Sequence, residues 1–338
     1  MFWVLHFHGH TGKISKRSSL SILKGHELKC TFVMLNRYPL YCTFLLTLTF
    51  GCGVDAADAV VQAKADIDVL IANRPHNEKD RRLDYSYELL ALALEVTKEV
   101  YGDYELHRTE LLMSRERQYR ELLSGNLLNV MVSPPKPGWG SNVIRVKFPI
   151  QKGIASFRLA FVMEKNRHLL RGVSTLEDFR SVTLGANFHW STTIVLRASG
   201  LRVVAGESYL SLFDMLEIGR FQLFPRGLNE IYPELEEFEK TIPGLIIEDH
   251  TAMVMYLPSY FYVSPETPRI AERLEVGLRI ASRKGAFDKL FNKHFGDVVK
   301  RANLDKRKLI YLENPNIQLS MLEDDMPYLL EFFRGIER

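Results

Sequence analysis

From Ala65 onward, short apolar runs alternate with longer segments whose apolar residues recur every three to four positions. A run of four to eight apolar residues suits a buried strand and a 3.6-residue period suits an amphipathic helix. Taken in turn they predict an α/β layering rather than a bundle or a sandwich. Asp68-Val-Leu-Ile-Ala72 reads as the first strand. A polar loop over 73–84 follows, then a helix with Leu89, Leu92, Val96 and Val100 on one face. Tyr104 to Thr109, a helix from Arg115 to Leu123 stopped at Ser124-Gly125, and the apolar run Leu127 to Val132 complete a βαβαβ unit.

Beyond a breaker-rich loop, Ser133-Pro-Pro-Lys-Pro-Gly-Trp-Gly140, the strand Phe157 to Met163 leads the chain into another layer. There Ser174-Thr-Leu-Glu177 reads as a capping box. Strands at 182–185, 201–204 and 221–224 alternate with helices at 191–199, 208–218 and 229–240. Met253 to Val263 reads as one strand interrupted at Pro258, and Pro268 to Phe295 as two helices split by Gly285.

The N-terminal region is of another kind. Leu40 to Phe50 is apolar and uncharged but well short of the roughly 20 residues that span a bilayer, so it reads as a signal-peptide core. Small residues after it fit cleavage following Ala56 or Ala59, and Met34, three residues before Arg37, reads as the true start. Residues 1–33 are then a non-native upstream extension, 34–59 a signal peptide, and the mature protein periplasmic. Residues 1–56 hold six Lys/Arg against Glu27 and Asp55, so the formal charge of +3 becomes −1 in the remainder. The basic balance that would suggest a nucleic-acid partner leaves with the leader. Cys30, Cys42 and Cys52 leave with it too, which removes disulfides and a thiol nucleophile. Lipid attachment at Cys52 is disfavoured, because Thr49-Phe50-Gly51 lacks the aliphatic residue such a site needs three positions earlier.

Three stretches resemble the type II periplasmic solute-binding proteins, in particular the amino-acid-binding branch known as bacterial extracellular solute-binding family 3. They are Ser174-Thr-Leu-Glu-Asp-Phe179 ahead of Val182-Thr-Leu-Gly185, Asp214-Met-Leu-Glu-Ile-Gly-Arg220, and Pro268 to Gly296 with its Gly-Ala-Phe and His-Phe-Gly. The resemblance implies a two-lobed type II fold, each lobe a mixed sheet flanked by helices, joined by two hinge strands. Lobe 1 would comprise 60–162 and 256–299 and lobe 2 163–255, with 300–338 an extension packing on lobe 1. Ligand would sit in the cleft, which agrees with the rule that open α/β sheets bind beyond the carboxyl ends of their strands. As a divergent member, this chain lacks the family's Arg and Asp for an α-amino acid. The corresponding stretches read Pro137-Gly-Trp-Gly-Ser141 and Leu223-Phe-Pro-Arg-Gly227.

Candidate ligand-binding residues follow from position and chemistry. Asn187, Phe188, Trp190, Ser191 and Thr192 run from a strand into a helix start, where free N–H groups and hydroxyls receive an oxyanion. Ser191 alternatively caps that helix, and Phe188 and Trp190 either stack on a ligand or pack between layers. Arg226 offers a fork for a carboxylate or phosphate, or else pairs with Glu230. Trp139 is a candidate cleft wall, and Asn73 and Arg74 follow the first strand directly. His6, His8 and His10 precede the expected start and lack a second ligand set.

No Gly-x-Ser-x-Gly elbow, zinc spacing or Rossmann fingerprint occurs, so no cofactor, metal or catalytic residue is expected. The leading expectation is a monomeric binding protein that captures a small polar or anionic molecule and is read by an ABC permease or a membrane sensor. The alternative is a periplasmic dehydratase or lyase on the same scaffold, with Glu230 and His189 as its acid or base.

Overall fold

The computed structural model describes residues 67–75, 81–136, 138–139 and 142–334. The expected leader, its cysteines, Met34 and the cleavage positions lie outside the described residues, as do His6, His8 and His10.

The chain begins with β1 (Asp68–Ala72), α1 (Asp84–Glu95), α2 (Lys98–Tyr101), β2 (Tyr104–Arg108), α3 (Arg115–Ser124), β3 (Val130–Ser133) and β4 (Ile144–Arg145). It crosses into β5 (Phe157–Met163), α4 (Leu176–Phe179), β6 (Thr183–Asn187), α5 (Ser191–Ala198) and β7 (Arg202–Gly206). Next come α6 (Tyr209–Glu217), β8 (Phe224–Gly227), α7 (Leu228–Phe238), β9 (Leu245–Ile247) and β10 (Thr251–Val254). It returns through β11 (Tyr260–Val263), α8 (Pro268–Arg283) and α9 (Ala286–Ala302), and continues into β12 (Lys308–Tyr311), α10 (Leu319–Asp325) and α11 (Glu331–Arg334).

Two mixed sheets result, and the α/β expectation holds. The first has the order β2-β1-β3-β11-β4, with β11 antiparallel to both its neighbours. The second has the order β12-β10-β5-β8, with β9 also on β5. The parallel pair β6–β7 lies alongside, meeting the approach to β8 where Gly185 N–H donates to Leu223 O. Two stretches, residues 146–157 and 254–260, connect the sheets. They are held together where Phe157 and Arg158 pair with Val254 and Met253, and where Ser156 receives the N–H groups of Met255 and Leu257. One apolar cluster runs continuously from Leu70 and Leu89 through Phe148 and Phe157 to Phe213, Phe224 and Ile231.

Several local expectations shift. Met253 to Val263 is two strands, β10 and β11, in different sheets, because Pro258 falls where the chain crosses over. The capping box is Thr175 with Asp178, one residue on from Ser174 and Glu177. Helix α1 stops at Glu95, where the Thr97 hydroxyl turns back onto the Ala93 and Leu94 carbonyls. Its buried face is Tyr85, Leu89, Leu90, Ala93 and Leu94, and Val100 is 79% exposed. The strand expected at 221–224 begins at Phe224. Phe221 lies against Gly185 instead, at a distance that leaves no room for a Cβ there.

The segment expected as an extension of the first lobe touches both halves. Strand β12 joins the second sheet in parallel with β10. Beyond it, Asn314 donates to Tyr256 O, Leu330 N–H donates to Lys152 O, and Phe333 packs on Phe157 and Tyr256. Residues 312–333 therefore lie along both connecting stretches.

Candidate functional site

Among the described residues three arginines are buried, and their partners differ. Arg273 of α8, fully buried, bonds Asp68, Thr97 and the carbonyls of Leu94, Gly102 and Asp103. Arg226, at the end of β8 and 5% exposed, donates from Nε and Nη2 to the two Glu234 oxygens at 2.7 and 2.5 Å. Its guanidinium lies 4.5 Å from the Trp190 ring centre, and that ring in turn stacks on Phe224. Arg158 of β5 is also 5% exposed, yet its Nε and Nη1 are buried with no hydrogen-bond partner. The carboxylate oxygen beside it, Glu230 Oε2, is 3.7 Å from Nη1, beyond hydrogen-bond reach.

Glu230 is committed elsewhere. As the third residue of α7 it accepts the Gly227 N–H at 3.0 Å, and its other oxygen lies 3.2 Å from Arg226 Nη2. Burial alone would raise its pKa, but Arg226, Arg158, the Gly227 bond and Arg82 together hold it below the ordinary glutamate range. Glu234 is pushed up by burial, against the pull of its Arg226 bonds. Burial drives the Arg158 guanidinium down to about 10, against the attraction of Glu230.

Charged groups of the two halves influence one another near this cluster. Arg82, just ahead of α1, acts electrostatically on Glu230 of α7, and His189, ahead of α5, acts on Glu116 of α3. On the first-sheet side a groove of about 300 Å³ is lined by Arg115, Glu116, Tyr119, Arg120, Lys136 and Trp139. Burial, and then the charge of Arg115, lower the Lys136 pKa. The groove is thus cationic and crowded.

The expected site residues fall into three sets. Trp190, Arg226 and Glu230 come together as described, so the Arg226 fork is filled by Glu234, eight residues on, with Glu230 as a second carboxylate. Trp139 is a groove wall, 8% exposed, stacked on Tyr119 at 4.6 Å and edge-on to Tyr262. Asn73 bonds Gln118 of α3, and Arg74 donates to Glu110 O, which ties the loop after β1 to that same side.

The remaining residues do structural work or lie apart. Asn187 holds the turn into α5, with its amide donating to Glu207 O and its side-chain oxygen accepting His189 N–H. Ser191 is not the cap: Trp190 occupies that position and no side chain caps α5. Thr192 is 3% exposed. Phe188 is 57% exposed, with Arg197 over its ring.

Sequence reasoning passed over Arg158. Its signal was present, since Phe157-Arg-Leu-Ala-Phe-Val-Met163 is a fully buried strand carrying a single charge. A charge inside such a run needs a partner, and none stands nearby in sequence. Among the described residues no group of three or more His, Cys, Asp or Glu is placed to hold a metal.

No protein-family model and no curated protein matches the chain. Among solved structures it is similar to an ancestral arginine-binding protein bound to arginine, at 16% identity and a TM-score of 0.47, over 68% of this chain and 98% of that one. It is similar to a Salmonella typhimurium periplasmic binding protein described for high arginine specificity, at 13% identity and a TM-score of 0.47, over 68% and 99%. It is also similar to the VFT2 domain of Bordetella pertussis BvgS, a double mutant, at 11% identity and a TM-score of 0.47, over 68% and 92%. The chemistry of the site rests on this chain's own side chains.

Proposed function

We propose that this chain is an extracytoplasmic solute-binding protein that captures a small polar or anionic molecule between its two sheets, for a permease or a membrane sensor to read. The observation that carries the proposal is the electrostatic influence between charged side chains of the two halves, Arg82 on Glu230 and His189 on Glu116. Arg82, Arg115, Glu116 and Lys136 stand on one side, and His189, Arg226 and Glu230 on the other. A solute that bonds both sides lowers the free energy of the closed form by its differential affinity, which is the signal a partner reads.

Glu230, the carboxylate a dehydratase-like reaction would need, supports binding over catalysis. It is fixed by Gly227 and Arg226 and held ionised, so it makes a poor proton donor. Secretion by the leader at 34–59 belongs to the same proposal; among the described residues no helix is long and apolar enough to cross a membrane.

The test is a metabolite panel read by thermal unfolding and small-angle scattering. A true solute at a hundredfold excess over its Kd raises the melting temperature by roughly 5–10 °C and contracts the radius of gyration. A broad panel producing neither change sinks the proposal.

A further inference from the structure

We propose that Arg158 anchors an anionic group of the solute, which makes that solute a small hydroxyl-bearing anion such as a hydroxycarboxylate, a sugar acid or a hydroxylated phosphate ester. The inference rests on the binding-protein reading and names its ligand class.

A buried guanidinium without acceptors is costly, and the other two buried arginines among the described residues are satisfied: Arg273 has five partners and Arg226 has both oxygens of Glu234. Arg158 keeps Nε and Nη1 unspent on a strand that pairs it with Gly227, at the carboxyl end of β8. Glu230 does not serve it, because both Glu230 oxygens are occupied by Gly227 N–H and Arg226. Its carboxylate leans toward Arg158 without bonding it. An incoming anion supplies the acceptors that β5 lacks.

Glycine at 227 lets the backbone sit close beside Asn229 and Glu230. A Cβ there would stand 2.5 Å from Asn229 Oδ1 and 3.2 Å from Glu230 Oε2, so no side chain fits between them. Asn229 Oδ1 is itself buried with no partner. Around Gly227, then, are two unspent donors on Arg158 and one unspent acceptor on Asn229. A molecule that pairs with both offers a negative oxygen beside a hydroxyl. Phosphate esters and carboxylates share that pattern.

Titration calorimetry and thermal unfolding of the full chain with L-malate, gluconate and glycerol 3-phosphate, against succinate and glucose, test the idea in wild type, Arg158→Met and Arg158→Lys. The expected result is that at least one hydroxylated anion binds wild type more tightly than succinate does. Its affinity falls by roughly thirtyfold or more in Arg158→Met and by less in Arg158→Lys. Cooperative unfolding of unliganded Arg158→Met separates loss of the anchor from loss of the fold, because Arg158 also attracts Glu230. Equal affinity of wild type and Arg158→Met overturns the anchor. Binding and contraction with glucose alone overturn the anion class and leave the binding protein standing. Silence from every compound at millimolar concentration, in a protein that also fails the broad panel, overturns both.

Discussion

Asp325 is 4% exposed, and its carboxylate takes the hydroxyls of Tyr256 and Tyr260, within and at the end of the second connecting stretch. Burial raises its pKa above the ordinary aspartate value, and the two phenols with Arg145 only partly offset this. A carboxyl with a raised folded-state pKa adds stability that is fully present below about 3.9 and is lost as pH rises through the folded value. Asp325→Asn removes that dependence. Relative to wild type it therefore gains stability progressively as pH rises from about 3 to 7, which urea titrations at several pH values will read. A flat difference across that range refutes the assignment. At this scale the sequence singled out Trp139, Trp190, Arg226 and Glu230 and left open whether Arg226 holds an anion or pairs with Glu230, but it did not single out Glu234 as the Arg226 partner. Nothing local says that Arg158 Nε and Nη1 find no hydrogen-bond partner, because that depends on how β5 lies beside β8 and α7.

Helices α1 and α8 approach each other so closely that a Cβ on Gly277 would run into Ala93 O and stand 2.8 Å from the Ala93 carbonyl carbon. Backbone cannot swing aside as a side chain does, so Gly277→Ala should destabilise by about 1–3 kcal/mol despite alanine's better helix propensity. A denaturant midpoint equal to wild type would show that the helices slide apart freely. The same contact sets α8 against β1 through Arg273 and Asp68. Elements with a strong period, such as α3 and the α8–α9 pair broken at Gly285, were legible because their stop signals are local. Strands β10 and β11 were not separated, since a change of sheet leaves no mark in an apolar run beyond Pro258. Helix α1 lost its final turn to Thr97, whose hydroxyl competes for the helix carbonyls.

For the molecule as a whole, residues 308–333 fasten the two connecting stretches to one another: β12 on β10, Asn314 and Asp325 on Tyr256, Leu330 on Lys152, and Phe333 on Phe157. Ile310, Leu312, Leu329 and Phe333 are each at most 5% exposed, and burying each such side chain contributes roughly 1.5–3 kcal/mol. Deleting 308–338 should therefore lower stability by at least about 4 kcal/mol and loosen the connection, seen as a lower urea midpoint and faster amide exchange at Met255 and Leu257. Unchanged exchange at those two amides would mean that the stretches hold without the segment. Synthesis runs from the amino end, and domains generally take shape in that order. Every strand of both sheets up to β11 emerges before Asp325 does, so a nascent chain carries both sheets while the connection between them is still unfastened. The bonds of Asp325 to Tyr256 and Tyr260 are thus among the last long-range contacts that a chain made in this order can form.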